Sequence, residues 1–584
     1  MRKILLLCIV VLVQFVSAQS NIKVTNTDAN AVLFGNYDPG NYLPQRIINH
    51  HDSILEGIVN DVSSDTMISW LEHIDGYHNR NTGSDTLSET KGIGAVRRWI
   101  YSKLSQFSAL NENRLLVSYL DFDNNICGMP HHRNVFGVLP GIDTTNKEIV
   151  FIEGHFDTRC EGVCDTACYS PGMDDNGSGT VLVMELARVM SKYAFYQTVV
   201  FALTTGEDQG LYGATAFAEY FKDNNLVIRA CLNNDVVGGI ECGNTSSPPS
   251  CPYYTHLDSL NVRVFSYSFG NDSSRTSNHK QLARYLKMHQ EEDINPLLVT
   301  PLNINIMIRE DRVGRGGDHI PFRQRFYPSI RVCSQNEHGD GTGTPPDRQH
   351  STRDILGLDT SVPPDAIIDS FFVDPGYLKR NTIMNGVNLG FLAMGPPQPF
   401  PEVVPLPDGV SVQMIGQDTV YKDYRLAVRS KGSGTLYFDT VYSFTGTTSF
   451  QLEGLNPDTE YYFSVMSVLN DIESLPSWEH TVLTVGTGDN QINDGNLRLY
   501  QNVPNPFYNQ TQIKLAVTKD DIGKNAAIEV RDIAGRLIQL FPLKLSQGEQ
   551  IIKFENNDGL NGLYTFSLFV DGRLIQTRKM VMIK

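Results

Sequence analysis

Alternating blocks of apolar residues predict strands and helices in turn between residues 66 and 395. The strand candidates are short, apolar and rich in Val and Ile, as expected for strands covered on both faces, and lie at 148–154, 198–205 and 227–233. The helix candidates carry apolar residues at three- and four-residue spacing and lie at 93–107, 179–193 and 210–223. This order predicts an α/β domain with a mixed, largely parallel central sheet and helices on both faces.

The pattern changes at the proline-rich segment 396–407, which we predict to be a linker because proline interrupts both helices and central strands. Residues 408–487 and 495–584 then alternate apolar and polar residues in short runs, which predicts two small all-β sandwich domains. The first domain contains a group of residues that resembles the tyrosine corner of a fibronectin type III sandwich, namely Leu455, Pro457, Thr459 and Tyr461. Another type of β-sandwich is the alternative.

The last domain carries four motifs in order, which are Pro504-Asn505-Pro506-Phe507, the turn from Asp532 to Arg536, Gly562-Leu563-Tyr564 and a basic terminal strand. These motifs resemble the C-terminal sorting domain of the type IX secretion system. The resemblance implies that the type IX secretion machinery carries the protein through the periplasm and across an outer membrane. It also implies that the domain is then removed or attached to a surface glycolipid.

The first residues have the parts of a secretory signal peptide, which we place at residues 1–18. Arg2 and Lys3 precede an apolar run, Ile4–Val13, and small residues follow it. A membrane anchor is the alternative, but this run is shorter than the ~20 residues that a spanning helix needs. We therefore expect a secreted or cell-surface protein with no membrane span, in which residues 19–65 form a polar lead-in.

Eight cysteines remain after the signal peptide, and an even number in an exported chain favours disulfides. The cluster of Cys160, Cys164 and Cys168 has a metal site as its alternative interpretation, although its spacing is not that of a zinc knuckle. Cys242 and Cys251 are placed to close one proline-rich loop. We expect few or no free thiols.

The formal net charge of −17 over 584 residues limits the class of partner. A nucleic-acid or anionic-membrane surface needs clustered Lys and Arg, which the sequence does not show. We therefore expect no nucleic acid as a partner.

Each residue that is suited to metal binding or proton transfer follows a predicted strand, a glycine-rich turn or a late polar motif. The candidates are His155, Asp157, Asp175, Glu207, Asp208, Asp235 and His350. Taken singly, each has a plain structural interpretation, such as a solvated turn for the pair Asp174-Asp175. In an open parallel sheet the carboxyl ends of the strands converge on one crevice, so these side chains are predicted to meet as a set.

Nitrogen and carboxylate donors of this kind suit a pair of zinc ions. One carboxylate can bridge two cations about 3.5 to 4 Å apart. This explains an acid in the glycine-flanked stretch PGMDDNGSG at 171–179, where Asp175 would have a cation on either side. The expected cofactor is therefore zinc, with two co-catalytic ions.

Six motifs are similar, in the same order, to those of the co-catalytic zinc aminopeptidases, a family that also includes glutamate carboxypeptidases and animal-type glutaminyl cyclases. They are GHFDT, GMDDNGSG, TTGEDQGLYGA, NNDVVG, GGDHIPF and QHSTRD. The resemblance implies that His155 and Asp235 bind one zinc, that Asp208 and His350 bind the other, and that Asp175 bridges them. The family more often has a glutamate at the position of Asp208, and the shorter side chain is expected to weaken that site.

The resemblance also implies that Glu207 is the general base for a metal-bridged water, and that Asp157 orients His155. Asp318 and His319 are implied to form pocket wall and hydrogen-bond support. The implied activity is that of a zinc metallo-aminopeptidase, which hydrolyses N-terminal residues from peptides with a free N-terminus. The alternatives are a glutaminyl cyclase on the same scaffold and an inert, peptidase-like surface-binding protein. Three histidines match no motif and are expected at the surface, namely His131, His132 and His338.

Overall fold

The computed structural model describes residues 19–143, 145, 147–246, 251–268, 277–340, 346–406, 408–484, 497–505, 507–517, 519–532, 537–556 and 562–582. The predicted signal peptide at residues 1–18 lies outside this range. Pro506 and residues 533–536, which belong to the motifs of the last domain, also lie outside it.

Nine strands within the described residues form the central sheet. They are β1 Ser20–Val24, β2 Leu116–Ile126, β3 Met129–Leu139, β4 Ile149–His155, β5 Thr198–Thr204, β6 Ile228–Asn234, β7 Asn261–Ser266, β8 Asn303–Ile306 and β9 Ser329–Ser334. Their spatial order is β1-β2-β3-β5-β4-β6-β9-β7-β8. The pairs β4–β5, β4–β6, β6–β9 and β7–β8 are parallel, and the remaining neighbours are antiparallel. The predicted mixed sheet is therefore confirmed, with its parallel strands at the centre.

Helices cover both faces of this sheet. They are α1 Thr27–Leu33, α2 His51–Asp61, α3 Ser64–Asp75, α4 Gly92–Leu110, α5 Gly179–Met190, α6 Tyr212–Asp223, α7 Asn278–His289, α8 His319–Gln324 and α9 Pro375–Met394. Neighbouring side chains of β4 point to opposite faces, so Phe151 packs with Phe217 of α6 while Ile152 belongs to the larger core with α5 and α9. Burial on both faces explains why β4, β5 and β6 are almost continuously apolar.

The lead-in is part of the α/β domain. β1 pairs with β2 at the edge of the central sheet, and the Asn26 side chain caps α1 by accepting the N–H groups of Asp28 and Ala29. α2 packs on the same sheet face as α3, with Ile54 and Ile58 fully buried. No structural break therefore separates residues 19–65 from the domain that follows.

A short hairpin, β10 Gly357–Leu358 and β11 Ser370–Phe371, precedes α9, and a β-sandwich follows it. The sandwich strands are β12 Glu402–Leu406, β13 Gly409–Gln413, β14 Asp423–Ser430, β15 Thr440–Phe444, β16 Ser449–Leu452, β17 Glu460–Leu469, β18 Ile472–Glu473 and β19 His480–Leu483. One antiparallel sheet has the order β12-β13-β16, and the other has β15-β14-β17-β18 with β19 also on β17. β12 begins inside the predicted linker, since an edge strand tolerates Pro405.

The last domain is a second antiparallel β-structure. Its strands are β20 Arg498–Leu499, β21 Gln510–Val517, β22 Asn525–Asp532, β23 Leu537–Lys544, β24 Gly548–Glu555, β25 Gly562–Val570 and β26 Arg573–Met582. They form the sheets β20-β21-β24 and β23-β22-β25-β26 around one apolar core. Across the described ranges, no helix is both long enough and apolar enough to cross a membrane.

Helix α7 joins the α/β domain to the first sandwich through buried polar contacts. The Gln281 amide donates to Ser464 Oγ at 2.6 Å, and the Tyr285 hydroxyl donates to the Glu473 carbonyl at 3.1 Å. Arg284 Nη1 lies 3.1 Å from a carboxylate oxygen of Glu479. The sandwich is thus docked on the α/β domain and is more than a tethered module.

Candidate metal centre and active site

Three neighbouring strands carry predicted site residues at their carboxyl ends. β4 ends at His155, and β6 is followed directly by Asp235. β5 ends at Thr204 and leads into a turn that contains Glu207 and Asp208. Because β5, β4 and β6 are adjacent and parallel, these ends open on the same edge of the sheet.

Asp175 reaches this edge from an irregular helical turn, Met173–Ser178, that leads into α5. Gly172 precedes the turn with φ +51°, and a Cβ there would lie 2.2 Å from a side-chain carbon of Thr158, so the position requires glycine. The N–H group of Asp175 donates to the carboxylate of Asp354 at 2.9 Å. This bond ties the turn to the last residue of the QHSTRD motif.

The adjacent acids Asp174 and Asp175 face in different directions. Asp174 Oδ1 accepts hydrogen bonds from the N–H groups of Gly238 and the next residue, each at 3.0 Å. Asp175 presents its two oxygens to two histidines, with Oδ1 3.4 Å from His155 Nε2 and Oδ2 2.9 Å from His350 Nε2. The first acid therefore fixes the turn, and the second joins the two halves of the cluster.

Each histidine has one further carboxylate beside it. Asp235 Oδ1 lies 3.7 Å from His155 Nε2, and Asp208 Oδ1 lies 3.2 Å from His350 Nε2. His155 Nε2 and Asp208 Oδ2 are buried without a hydrogen-bond partner in the described residues. Buried polar atoms without partners are rare, and nitrogen and carboxylate donors at these separations suit zinc. The residues present therefore fit two zinc ions that share Asp175.

The acids of this cluster outnumber its histidines. Burial opposes protonation of His155, but the carboxylates around it, Glu207 first among them, outweigh burial and raise its pKa well above the ordinary value. Burial likewise opposes protonation of His350, and Asp175 outweighs it, so that the pKa of His350 is also raised. Cations would replace these protons, which makes metal binding dependent on pH.

Glu207 lies at the open side of the cluster. Its Oε2 atom is 3.9 Å from His155 Nε2, and its side chain is 13% exposed. Burial raises the pKa of Glu207 well above the ordinary value of a glutamate. Its N–H group donates to Asp157 Oδ1 at 3.3 Å, which fixes the turn that carries it. Glu207 is therefore a half-buried carboxyl group at the edge of the cluster, held by its backbone and open to the crevice.

Asp157 and Asp318 lie below the donor set. The backbone carbonyl of Asp157 is 3.2 Å from His155 Nδ1, and its carboxylate oxygen is 3.5 Å from the same atom. Asp318 accepts a hydrogen bond from the Thr204 hydroxyl at 2.7 Å, and burial raises the pKa of Asp318 to about 7. His319 is buried beside it and lies 3.0 Å from the carbonyl of Glu310.

Arg80, which sequence analysis did not single out, connects two loops of the site. The buried guanidinium donates to the carbonyls of Phe156 at 3.0 Å, Pro171 at 2.5 Å and Gly172 at 3.0 Å. It thereby holds the loop after His155 against the turn of Asp175. Its partners are far away along the chain, so no local pattern marks this arginine.

His350 is held from its other side by residues that were also missed. Asp340 lies within hydrogen-bond distance of His350 Nδ1, and Arg159 approaches the same atom at 2.5 Å. The Nε atom of Arg159 is 3.4 Å from Asp208 Oδ1. A carboxylate on Nδ1 leaves Nε2 free for a metal, which is a common arrangement at zinc sites.

Three disulfides occur in the described residues, namely Cys127–Cys164, Cys160–Cys168 and Cys242–Cys251. The first two staple the insertion that carries Arg159, next to the metal-binding cluster. The third closes the predicted proline-rich loop. Disulfides of this kind are typical of proteins in oxidising, extracytoplasmic surroundings.

The expectation of few or no free thiols is confirmed in the described residues, where Cys231 and Cys333 are free and buried beside three disulfides. In the pairing of β6 with β9, the residue opposite Cys231 is Ser329, four positions before Cys333. At about 3.3 Å per residue, this offset separates the two cysteines by roughly 13 Å along the strand. This separation is too long for a disulfide, so each thiol stays in the core, with Cys231 Sγ 3.7 Å from Glu153 and Cys333 Sγ 3.4 Å from Arg263.

The expected surface position is wrong for two histidines. His132 is only 4% exposed, and its Nε2 atom lies 2.8 Å from the Met129 carbonyl. His338 is 11% exposed and lies between Glu241 and Asp347, in a small cavity that Asp175 also lines.

The part of the chain that carries this donor set is similar to known proteins. Residues 134–356 match peptidase family M28. A probable zinc metalloprotease of Leptosphaeria maculans is 29% identical over 357 residues, which are 59% of this chain and 78% of the relative. The match and this relative support a zinc metallopeptidase, a hydrolase of family M28, for this part of the chain, as the motifs indicate.

Two solved structures also resemble the chain. The LapA aminopeptidase of Legionella pneumophila has a TM-score of 0.42 and 19% identity, covering 60% of this chain and 77% of its own. The glutaminyl cyclase of Porphyromonas gingivalis has a TM-score of 0.37 and 15% identity, covering 56% of this chain and 98% of its own.

Proposed function

We propose that this protein is an exported, zinc-dependent aminopeptidase that removes N-terminal residues from peptides. The observation that carries the proposal is the division of Asp175 between two histidines, with Oδ1 toward His155 and Oδ2 toward His350. Such a bridging carboxylate, with one further carboxylate on each side, is the donor arrangement of a two-metal hydrolytic site.

In this proposal His155 and Asp235 would hold one zinc, His350 and Asp208 would hold the other, and Asp175 would be shared between them. When bound, the ions supply Lewis-acid chemistry that polarises the scissile carbonyl and lowers the pKa of the attacking water. Zinc is expected from the family, and two ions are proposed from the shape of the donor set.

Glu207 performs the proton transfers in this mechanism. Its carboxylate accepts a proton from the attacking water and then delivers that proton to the nitrogen of the leaving amine. Glu207 remains 13% exposed at the crevice, so it can reach a bound peptide while its backbone is held by Asp157. The hydrogen bond from the Glu207 N–H group to Asp157 also holds the turn in place for both proton transfers.

The preference for a free N-terminus is proposed from the resemblance to the aminopeptidases. Glu207 and Asp235 lie on the same side as His155, at 3.9 and 3.7 Å from its Nε2 atom. The free α-amine of a substrate would bind beside these carboxylates, whereas an internal peptide segment has no free amine.

Export is proposed from the signal peptide and the terminal domain. The three disulfides support an extracytoplasmic location. In the first sandwich, the Tyr461 hydroxyl accepts the N–H of Asn456 at 3.2 Å, which supports the tyrosine corner and a fibronectin type III-like module. The proposed partner for crossing the outer membrane is the type IX secretion machinery, which would recognise the last domain.

The test is an assay of the purified mature protein on a panel of aminoacyl amides, with N-acetylated forms of the same compounds as matched controls. We expect free amino acid from the unblocked substrates alone, loss of activity with a chelator, and recovery with zinc. Release of ammonia from N-terminal glutamine, without hydrolysis of the panel, would assign a glutaminyl cyclase. Failure of every substrate in the presence of bound zinc would favour a surface-binding protein.

A further inference from the structure

Arg331, in the middle of β9, makes an ion pair with a proposed metal ligand. Its side chain is fully buried, and its Nη2 atom lies 2.9 Å from Asp235 Oδ2. Its other nitrogen, Nη1, lies 3.2 Å from Asp311 Oδ2 and donates to the Gly316 carbonyl at 2.6 Å. The guanidinium is therefore fixed from both sides and cannot turn away from Asp235.

The sheet register and one glycine make this contact possible. Arg331 is paired with Asn233 across β6 and β9, so that its side chain lies next to the end of β6, where Asp235 follows. A Cβ on Gly317 would lie 3.0 Å from Arg331 Nη1 and 3.1 Å from its Cδ. The absence of a side chain at Gly317 thus leaves the space that the arginine occupies.

The two terminal carboxylates of the centre consequently differ. Asp235 has Oδ2 engaged by Arg331, and only Oδ1 faces His155 Nε2, at 3.7 Å. Asp208 presents Oδ1 to His350 Nε2 and has Oδ2 buried with no hydrogen-bond partner in the described part of the chain. Asp208 Oδ1 has Arg159 Nε at 3.4 Å, which is a longer contact than the 2.9 Å between Arg331 and Asp235 Oδ2, so Asp235 is the more closely held of the two carboxylates.

We infer that Arg331 is a positioning residue that fixes Asp235 as a single-oxygen ligand and sets the zinc affinity of the position formed by His155 and Asp235. The inference rests on the proposed two-zinc centre. Partners that hold a metal ligand in place typically contribute 10- to 100-fold to metal affinity. Without the guanidinium, Asp235 would have to be ordered at the moment of binding, beside the other carboxylates of the cluster.

The test compares zinc retention by the full mature protein and three variants during dialysis against graded chelator. Arg331→Met should release one of its two zinc ions at a chelator concentration about tenfold or more below that for the unchanged protein. Arg331→Lys keeps the charge but cannot hold Asp235 and Asp311 together. Its zinc should therefore be released at a chelator concentration between those for Arg331→Met and for the unchanged protein. Arg263→Met is the matched control, because Arg263 is also fully buried on a neighbouring strand and lies 3.4 Å from Glu337 Oε1.

The outcomes separate the inference from the proposed function. Two zinc ions held by Arg331→Met as tightly as by the unchanged protein would overturn the role of Arg331, and so would an equal loss in Arg263→Met. Absence of zinc from the unchanged protein would instead overturn the metal centre itself. If Arg331→Met does not fold, Arg331→Lys is the test variant. Its zinc affinity should fall severalfold while its circular dichroism spectrum stays unchanged.

A spectroscopic measurement addresses the single-oxygen role directly. With cobalt(II) in place of zinc, release of Asp235 Oδ2 in Arg331→Met allows that carboxylate to bind through both oxygens and raises the coordination number. The visible absorption of the variant should therefore weaken relative to the unchanged protein and the Arg263→Met control. Identical spectra in all three would contradict the inference.

Discussion

Two buried clusters of charged residues in this molecule have opposite character. At the interface of α7 with the first sandwich, Glu479 lies 2.6 Å from Arg429 and 3.1 Å from Arg284, so a buried acid is matched by guanidinium groups. At the strand ends of the central sheet, carboxylates outnumber cationic groups, and His155 Nε2 lacks a hydrogen-bond partner among the described residues. A buried cluster that is balanced by its own side chains holds structure together, whereas one with excess acid and unpaired donors requires a cation from outside.

The largest expected effect separates catalysis from metal binding inside the second cluster. Glu207→Gln removes proton transfer and leaves the five proposed ligands in place, so kcat should fall by about 10² to 10⁴. Zinc content, measured by atomic spectroscopy on the same preparation, should stay unchanged.

Asp208→Asn is the matched variant on the neighbouring residue. A neutral amide is a poor zinc ligand, so this variant should lose zinc and activity together. The roles assigned to the two neighbours are wrong if Glu207→Gln keeps near-normal activity, or if it loses metal while Asp208→Asn retains it.

The interface cluster should respond in stability rather than in chemistry. Glu479→Gln removes the acid between Arg284 and Arg429, both fully buried, and breaking a buried pair in this way costs about 3–5 kcal/mol of unfolding free energy. Denaturant unfolding should show this loss, while zinc content and kcat of the folded protein stay the same. Lys431 offers a surface control, because its side chain is 41% exposed in its ion pair with Glu460. Lys431→Met should cost no more than about 1 kcal/mol of unfolding free energy. A fall in zinc content in Glu479→Gln would show that the two clusters are linked.

The sequence predicted the strands that are buried on both faces. It did not predict the residues that hold the candidate site residues in place. β4, β5 and β6 begin and end within about one residue of the predicted strands, because strands covered on both faces are apolar throughout. The remaining strands include polar positions. β2, for example, mixes buried and half-buried residues near the sheet edge, and only its pairing with β1 and β3 defines it as a strand.

The same limit applies to individual side chains. The ordered motifs place the metal-binding candidates, since each follows a strand or a glycine-rich turn that can be recognised locally. Arg80 depends on contacts with loops 76 to 92 residues away, and Arg331 reaches Asp235 across the sheet, 96 residues away. The free thiols of Cys231 and Cys333 follow from strand register, which a count of cysteines does not contain.

A buried histidine on α7 provides a comparison with the histidines of the metal centre. His279 Nδ1 accepts the N–H of Ser329 at 3.0 Å, and burial lowers the pKa of His279 to about 3. The pKa of His279 in the folded protein lies below the ordinary value of about 6.5. Between about pH 3 and 6.5 the unfolded chain therefore binds one more proton than the folded protein does. Stability should therefore fall by about 1.4 kcal/mol per unit as pH decreases from 6.5 toward 3.

The measurement is unfolding free energy against pH for the unchanged protein and for His279→Asn, which retains an acceptor but does not titrate. The variant should have a pH slope that is shallower by about one proton in this window. Its kcat at pH 7.5 should be unchanged, because α7 takes no part in the cluster at the strand ends. Parallel slopes for the two proteins would mean that His279 is protonated in the folded state.

The smallest expected effect concerns the last domain, which contacts the sandwich and not the metal centre. Arg573 lies 2.8 Å from Glu460, and the rings of Trp478 and Phe569 are 5.2 Å apart. Truncation after Thr484 should therefore change kcat/KM by less than about twofold, as expected for changes far from a site. Truncation after Gly395 is the informative contrast. It removes the sandwich, whose Met466 and Ile472 belong to the main apolar core, so the shorter chain should expose apolar surface and aggregate. In the native host, the chain truncated after Thr484 should accumulate in the periplasm with full activity. Its normal delivery to the cell surface would contradict the sorting role, and a large loss of activity in vitro would show that the last domain supports the catalytic domain through the sandwich.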